Sequence, residues 1–390
     1  MRCRNLARRG VPTKGAALTP VVVRGELGKS SMRILHLAKY YWPRSGGMER
    51  VVQGLAEGAA GLGHQVEVVA VETMGRAGSS GRQRSSVTRA FSLAALGSQE
   101  IAPGYIAAAW ARADIIHVHH PHPLADVACL LRARRTPVVV TQHADSRRSI
   151  YRPATRLVLR RAAAVVVPSR AHLALSEELI GFESKVEVIP FGIDQSRWEL
   201  VPPPPPGAAP RAIFIGRLVG YKGLDILLRA MELVPELRLD IVGSGPEGPR
   251  LRTLAQALAI TDRVRWYGEY PDEDLPRRMA DADFLVLPSV TVEEMFGLVV
   301  LEAMAAGRPV VTTALPSAVR EVNVPGETGL EVPLRDVPAL AHALETLSHD
   351  PALRKRMGEA GRKRVAERFT QTAMAEKHIS LYERIRAERK

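Results

Sequence analysis

Short apolar or β-branched runs alternate with longer amphipathic stretches along this chain, and the alternation occurs twice. In the first half, Arg33–Ala38, Val66–Val71, Ile115–His119, Val138–Gln142 and Ala164–Val167 have the length and composition of strands. Between them, Glu49–Gly61, Leu124–Arg135, Tyr151–Arg161 and Arg170–Leu179 read as helices. Strands joined one after another through helices build a mostly parallel sheet covered on both faces. The Gly, Ser and Arg-rich piece Gly75–Ser86 reads as a mobile loop.

The pattern breaks after Val186–Pro190, where Phe191-Gly192-Ile193-Asp194 leads into the stiff run Pro202–Pro206, which cannot continue a sheet. A second series then begins at Arg211. Its strands are Ala212–Ile215, Leu237–Val242, Val264–Trp266, Phe284–Leu287 and Val310–Thr312, with helices after Lys222, Pro246, Asp272, Gly297 and Asp336. The segment from about Asp350 to Arg389 is strongly helical. The fold class is therefore α/β: two doubly wound, Rossmann-like domains facing across a cleft, with ligands expected at the carboxyl ends of the strands. The expected divisions are a leader at 1–31, a first domain at 32–196, a Pro-rich linker at 197–210, a second domain at 211–368 and a last helix at 369–390.

Composition narrows this picture. A chain of 390 residues is expected to divide into two cores, and no apolar run reaches the length of a membrane span. Cys3 and Cys129 lie too far apart to suggest a metal motif or a disulfide framework, so a reducing cytoplasm is the expected compartment. The net charge of +13 is unevenly placed, because residues 1–31 hold seven Arg or Lys and one acid. That leader lacks the apolar centre of a secretory signal; it reads as a disordered basic arm or as sequence upstream of a start at Met32. The remaining surplus of seven suits docking on anionic headgroups at the inner face of the cell membrane and attraction of a diphosphate. No zinc finger, aromatic-basic string or helix-turn-helix supports a nucleic-acid partner.

Glu293–Thr313, EEMFGLVVLEAMAAGRPVVTT, places Glu294 in a loop before Phe296-Gly297-Leu298 and Glu302 inside the helix after that loop, which ends at Gly307 with Pro309 beyond. Carboxylates accept hydrogen bonds from vicinal hydroxyls, and the free N–H groups at the helix start favour a phosphate. Gly216-Arg217-Leu218 and Lys222-Gly223 come after a strand end, where a guanidinium fork and a mobile ammonium can neutralise a diphosphate. In the first half, Gly46-Gly47 joins the first strand to a helix start and lets backbone approach an anion. His117, His119, His120, His122 and His143 raise a metal cluster as an option. Its absence is the expectation, because no Cys joins them and His120-Pro121-His122-Pro123 is a turn that directs its side chains apart.

The Glu-x7-Glu string, with Phe-Gly-Leu after the first acid and Glu-Ala-Met-Ala-Ala-Gly-x-Pro-Val after it, resembles the signature of the retaining glycosyltransferases of family 4 at each of those positions. The resemblance runs from Met32 to the last helix. It implies the GT-B arrangement, with the final helix crossing back onto the first domain. It also implies that Arg217 and Lys222 hold the donor diphosphate, Glu294 the sugar hydroxyls and Glu302 the ribose, with Phe296, Gly297 and Leu298 at the donor. The glycine turn at Gly243 and Gly245 would lie beside the nucleotide and Tyr267 beside the base, although a core role for Trp266 and Tyr267 is equally open. Gly46 and Gly47 would touch the donor phosphates or frame the acceptor, and His143 would stand against the transferred sugar.

These roles lead to an expectation of metal-independent, front-face transfer of a hexosyl group from a nucleotide-diphosphate sugar to a glycan or lipid-linked acceptor, without a cofactor. The first-domain pattern Tyr-Tyr-Trp-Pro-Arg-Ser-Gly-Gly-Met-Glu-Arg-Val-Val with Thr-Gln-His-Ala-Asp looks most like mannosyl or rhamnosyl transferases of surface polysaccharide assembly. GDP-mannose and a UDP- or dTDP-hexose are the donors this suggests. Two alternatives keep the same cleft: a sugar-nucleotide epimerase, which needs no acceptor, and a nonenzymatic sugar-nucleotide-binding protein, which transfers nothing.

Overall fold

Seven parallel strands make the first sheet, in the order β3-β2-β1-β6-β7-β8-β9. They are β1 (Arg33–Leu37), β2 (Gln65–Glu72), β3 (Ser86–Phe91), β6 (Ile115–His120), β7 (Val138–Gln142), β8 (Ala164–Val167) and β9 (Val186–Val188). A small antiparallel pair, β4 (Ala94–Leu96) and β5 (Gln99–Ile101), stands apart. Six parallel strands make the second sheet, β12-β11-β10-β13-β14-β15, from β10 (Arg211–Ile215), β11 (Arg238–Val242), β12 (Val264–Gly268), β13 (Phe284–Leu287), β14 (Val310–Thr313) and β15 (Gly329–Val332). The computed structural model describes residues 31–44, 46–72, 84–96, 99–132, 135–146, 149–199 and 209–389.

Helices cover both faces of each sheet, which is why the central strands β6, β7, β8, β13 and β14 are buried at every position. In each sheet the chain order reverses at one place, between β1 and β6 in the first and between β10 and β13 in the second. Loops that leave the carboxyl ends of strands at such a reversal open a crevice for ligands. Those four loops contain the Gly46-Gly47 turn, the His120–Pro123 turn, the Gly216–Lys222 stretch and Pro288–Gly297.

Several expected boundaries move. The helix read as Leu124–Arg135 is Pro123–Leu131. It stops because Arg132 turns extended and sends its guanidinium to the carbonyls of Ala109 and Ala111, each at 2.7 Å. Arg170–Leu179 is helical only to Leu175, where Ser176 leaves the helix and donates to Asp145 Oδ1 at 2.5 Å. The linker expected at 197–210 begins inside a helix, Ser196–Glu199, with Trp198 fully buried; residues 200–208 lie outside the described residues. Most of the loop expected at Gly75–Ser86 lies outside them as well, but Ser86 opens β3. The leader 1–31, apart from Ser31, and Cys3 are also outside.

Two helices close the chain, Pro351–Arg368 and Gln371–Ala387. Asp350 caps the first by accepting from Leu353 N at 2.7 Å, and Thr370 caps the second by accepting from Ala373 N at 3.1 Å. The last helix lies on the first half, against the helix Gly47–Gly61, where a Cβ at Gly58 would crowd Ala375 at 2.7 Å. Tyr382 reaches the first sheet, its hydroxyl 2.5 Å from His117 Nδ1. No helix among the described residues is long and apolar enough to cross a membrane.

Candidate active site

Lys222 and Glu294 come from the two loops after β10 and β13, the strands flanking the reversal in the second sheet. Both are buried, and Lys222 Nζ donates to Glu294 Oε2 at 2.5 Å. Ser289 Oγ donates to the same oxygen at 2.9 Å, while Val290 N binds the carbonyl of Tyr221 at 2.8 Å and ties the two loops together. A buried ion pair of this kind fixes orientation more than it stabilises the fold. Arg217, the second expected cation, is exposed and makes no ion pair among the described residues.

Gly297 starts the helix Leu298–Ala305 from the left-handed region, at φ 72°, a conformation that a Cβ disfavours. All eight residues of that helix are buried, so the position of its N-terminal N–H groups is set by packing. Truncating Leu301 to Ala in such a setting costs about 2–5 kcal/mol. Gly47 of the first half faces this helix start: a Cβ built on it would lie 3.9 Å from Leu298 Cδ1. Gly47 therefore borders the start of that helix across the cleft, while Gly46 lies against the Glu49 side chain. Gly243, at φ 134°, has a reason within the protein, since a Cβ there would strike the Gly216 carbonyl; Gly245 packs equally closely on the Leu218 carbonyl. The glycine turn thus supports the loop that leads to Lys222.

His143 comes just after β7 and stacks on Phe191 with ring centroids 5.1 Å apart; Phe191 in turn lies 5.1 Å from Phe296. This row of rings joins the first half's histidine to the Phe296-Gly297 turn. Behind it, His143 Nε2 is 3.1 Å from His119 Nδ1, and His119 Nε2 is 3.0 Å from His36 Nδ1. Burial, reinforced by neighbouring imidazoles, lowers the His143 pKa to about 3, so it is neutral at physiological pH. The nitrogens of His36, His117 and His119 lie within 4.8 Å of one another. However, His117 and His119 stack face to face at 4.4 Å, and His117 is engaged by Tyr382 and Thr141. Rings in near-parallel planes do not aim their lone pairs at one point, so the set suits mutual hydrogen bonding better than a metal. His120 pairs with Asp126 at 2.5 Å and His122 meets the Tyr105 ring edge-on.

Glu302 belongs to a different group. One of its oxygens is bound by Arg50 Nη1, from the first half, and the other is buried without a partner. Arg50 Nη1 also lies 3.5 Å from Asp272 Oδ1, and Arg197 donates to Asp272 Oδ2 at 2.9 Å. Burial raises the Glu302 pKa, against the opposing pull of Arg50. A cavity of about 550 Å³ opens beside this group, lined by Arg50, Arg197, Leu298, Glu302 and Gln371 among others. Tyr267 is half-buried, its hydroxyl 3.4 Å from Asp240 and its ring under the Arg278 guanidinium at 4.8 Å.

Of the acids and cations expected together, then, only Lys222 and Glu294 touch; Glu302 is shared with the first half and Arg217 stands in solvent. Sequence reading missed Ser289, Arg50, Asp272, Arg197 and Phe191. Arg50 alone had a visible signal, one turn into the helix that begins at Gly46-Gly47.

Comparison with known proteins bears on this geometry. Residues 200–364 match the family described as Glycosyl transferases group 1, and residues 45–197 match Glycosyltransferase Family 4. The chain is 29% identical to the O-antigen chain mannosyltransferase C of Escherichia coli over 379 residues, 90% of this chain and 98% of that protein. It is 29% identical to the D-rhamnosyltransferase WbpZ of Pseudomonas aeruginosa over 359 residues, 87% and 92% of the two chains. It is 32% identical to the phosphatidyl-myo-inositol mannosyltransferase of Mycobacterium leprae over 281 residues, 70% and 74%. Among solved structures, a sucrose-phosphate synthase from Thermosynechococcus elongatus superposes with a TM-score of 0.77 at 24% identity, over 91% of this chain and 99% of that one. Anabaena Alr3699/HepE in complex with UDP-glucose superposes with a TM-score of 0.71 at 20% identity, over 90% and 99%.

Proposed function

The chain belongs to glycosyltransferase family 4, the glycosyl transferases group 1, with the GT-B fold, and from that premise we propose that it moves a hexosyl group from a nucleotide-diphosphate sugar to a glycan or lipid-linked acceptor with retention of anomeric configuration. The observation that carries the proposal is the Lys222–Glu294 pair at the reversal point of the second sheet, beside the Gly297 helix start. The mannosyl and rhamnosyl transferases among the relatives, and the UDP-glucose in the HepE complex, favour a nucleotide-linked hexose, with GDP-mannose first among the donors.

Breaking the anomeric C–O bond puts negative charge on the departing diphosphate, so fixed positive groups at that place lower the barrier. Lys222 and the N–H groups after Gly297 supply them, and Arg217 can fold in from solvent. Glu294, oriented by Lys222 and Ser289, accepts hydrogen bonds from sugar hydroxyls. The acceptor oxygen bonds the anomeric carbon on the face from which the phosphate leaves, and its proton passes to a phosphate oxygen. His143, neutral, hydrogen-bonds the sugar from the first half. With these charges in place the step needs no metal ion.

The first half supports docking on an anionic membrane. Residues 103–161 hold ten arginines and three aspartates, a surplus equal to that of all residues beyond the leader. Arg152, Arg156 and Arg160, four apart in one helix, form a stripe beside exposed Leu157. Trp110, in the turn after the helix Pro103–Ala108, and Leu131, at the end of the helix Pro123–Leu131, are also exposed.

Thermal shift with GDP-mannose, UDP-glucose, UDP-N-acetylglucosamine and dTDP-rhamnose tests the donor reading: one is expected to raise the melting temperature by mass action, and no shift with any of them sinks it. Proton NMR of the product reads the anomer, and an inverted product removes the front-face step. Loss of transfer in chelator removes metal independence.

A further inference from the structure

The Glu302 group contains three buried polar atoms without hydrogen-bond partners: Glu302 Oε2, Asp272 Oδ1 and Arg50 Nε. Buried groups are ordinarily satisfied, and leaving a charged one unmatched is costly. The three lie in one cluster beside a cavity of about 550 Å³, where the protein itself supplies them no hydrogen-bond partner. The cluster is also divided between the halves. Arg50 comes from the first-half helix Gly47–Gly61, Glu302 from the second-half helix Leu298–Ala305, and Asp272 from the turn after β12.

A carboxylate grips a vicinal diol best with both oxygens, one to each hydroxyl. In Glu302 only Oε2 is without a partner; Oε1 already accepts from Arg50, whose guanidinium crowds the side from which a second hydroxyl would come. Arg50 has a second acceptor within reach, Asp272 Oδ1 at 3.5 Å, which no other group satisfies. Asp272 is itself held in place by Arg197, through Oδ2 at 2.9 Å and through its backbone carbonyl at 2.6 Å. It is therefore a fixed resting place for the guanidinium.

We propose that Arg50 is an exchangeable cation that sits on Glu302 when the donor is absent and moves to Asp272 when the ribose diol of the nucleotide takes both Glu302 oxygens. The proposal rests on the donor reading above and adds a positioning residue to it. The exchange keeps the guanidinium paired in both states and satisfies the orphaned oxygens of Glu302 and Asp272 in the second. It also links donor binding to the first half, since the helix carrying Arg50 begins at the Gly46-Gly47 turn.

The test compares binding of uridine and guanosine diphosphates with binding of their 2′,3′-dideoxy analogues, by isothermal titration of the full chain. In Arg50→Ala, Glu302 has no partner to surrender, so the ribonucleotide that the parent binds should bind about tenfold tighter, while its dideoxy analogue binds as in the parent. Asp272→Asn weakens the resting place and should shift ribonucleotide binding the other way, again sparing the dideoxy analogue. Arg50→Gln, which keeps a donor beside Glu302, serves if the alanine variant does not fold, with a smaller gain in the same direction. Equal changes for ribo- and dideoxynucleotides, or weaker ribonucleotide binding in both Arg50 variants, overturn the exchange. A parent protein that binds none of these nucleotides sinks the donor reading, and the exchange with it.

Discussion

The two halves share a topology and divide the polar chemistry between them. The first buries seven histidines within and around its sheet, and the last helix adds His378 against it; the second half buries none among its described residues. The first half also exposes thirteen of the fifteen exposed large apolar side chains among the described residues. The second half encloses its functional groups instead: Lys222 and Glu294 are buried against each other, and the helix carrying Glu302 is buried throughout. The difference teaches that one parallel-sheet frame can hold a buried ion pair on one side of a cleft and a hydrogen-bonded row of histidines on the other.

Acid is expected to break this comparison most forcefully. Burial holds His36, His122 and His143 at pKa values of about 3, and His172 and His378 at about 4, all below the unfolded value. The unfolded chain therefore binds more protons than the folded one between pH 6.5 and these values, and stability is full above pH 6.5 and falls as the pH drops. At pH 5 each such imidazole costs roughly 2 kcal/mol, and the loss should start in the first half. Urea unfolding at pH 7 and pH 5 with hydrogen exchange checks this; equal midpoints at the two pH values would refute it.

Next in size is the charge contact of the second half. Lys222→Ala should lower turnover about 10²-fold, the size of a lost transition-state contact. Steady-state transfer with the donor found by thermal shift measures it, and parental turnover would move the chemistry away from this half. A smaller effect is expected on the exterior of the first half. Arg160→Glu removes one cation and adds an anion on the helix stripe, worth about 2 kcal/mol on an anionic surface. Partition into phosphatidylglycerol vesicles should fall more than tenfold with nucleotide binding unchanged; unchanged flotation would leave the arginine stripe as a merely solvated face. Smallest is Asp336→Ala in the second half, where the carboxylate caps the helix Val337–His349 by accepting from Ala339 N at 2.9 Å. It should cost about 1 kcal/mol in a thermal melt and leave vesicle binding untouched.

The frame was legible in the chain because buried central strands are continuous apolar runs. Val138–Gln142, Ala164–Val167 and Phe284–Leu287 have the bounds that the pattern predicts. Two of the strands the pattern passed over, Ser86–Phe91 and Gly329–Val332, lie at the edges of their sheets. An edge strand has one neighbour and partial exposure, so it carries Ser86, Thr88 and Arg89 in one case and begins with Gly329 in the other, and neither looks like a run.

Sequence by itself determined which residues stand at the carboxyl ends of the second-half strands and that Gly297 opens a helix, because turn chemistry and periodicity are local. Only the tertiary structure decided who touches whom. It joined Lys222 to Glu294, gave Glu302 to Arg50 across 252 positions of chain, linked His143 to His119 and His36, and left Arg217 in solvent. The Lys222–Glu294 and histidine contacts depend on which strands each sheet sets side by side, and the Glu302–Arg50 contact on how the two sheets are set against one another; no local pattern encodes either arrangement.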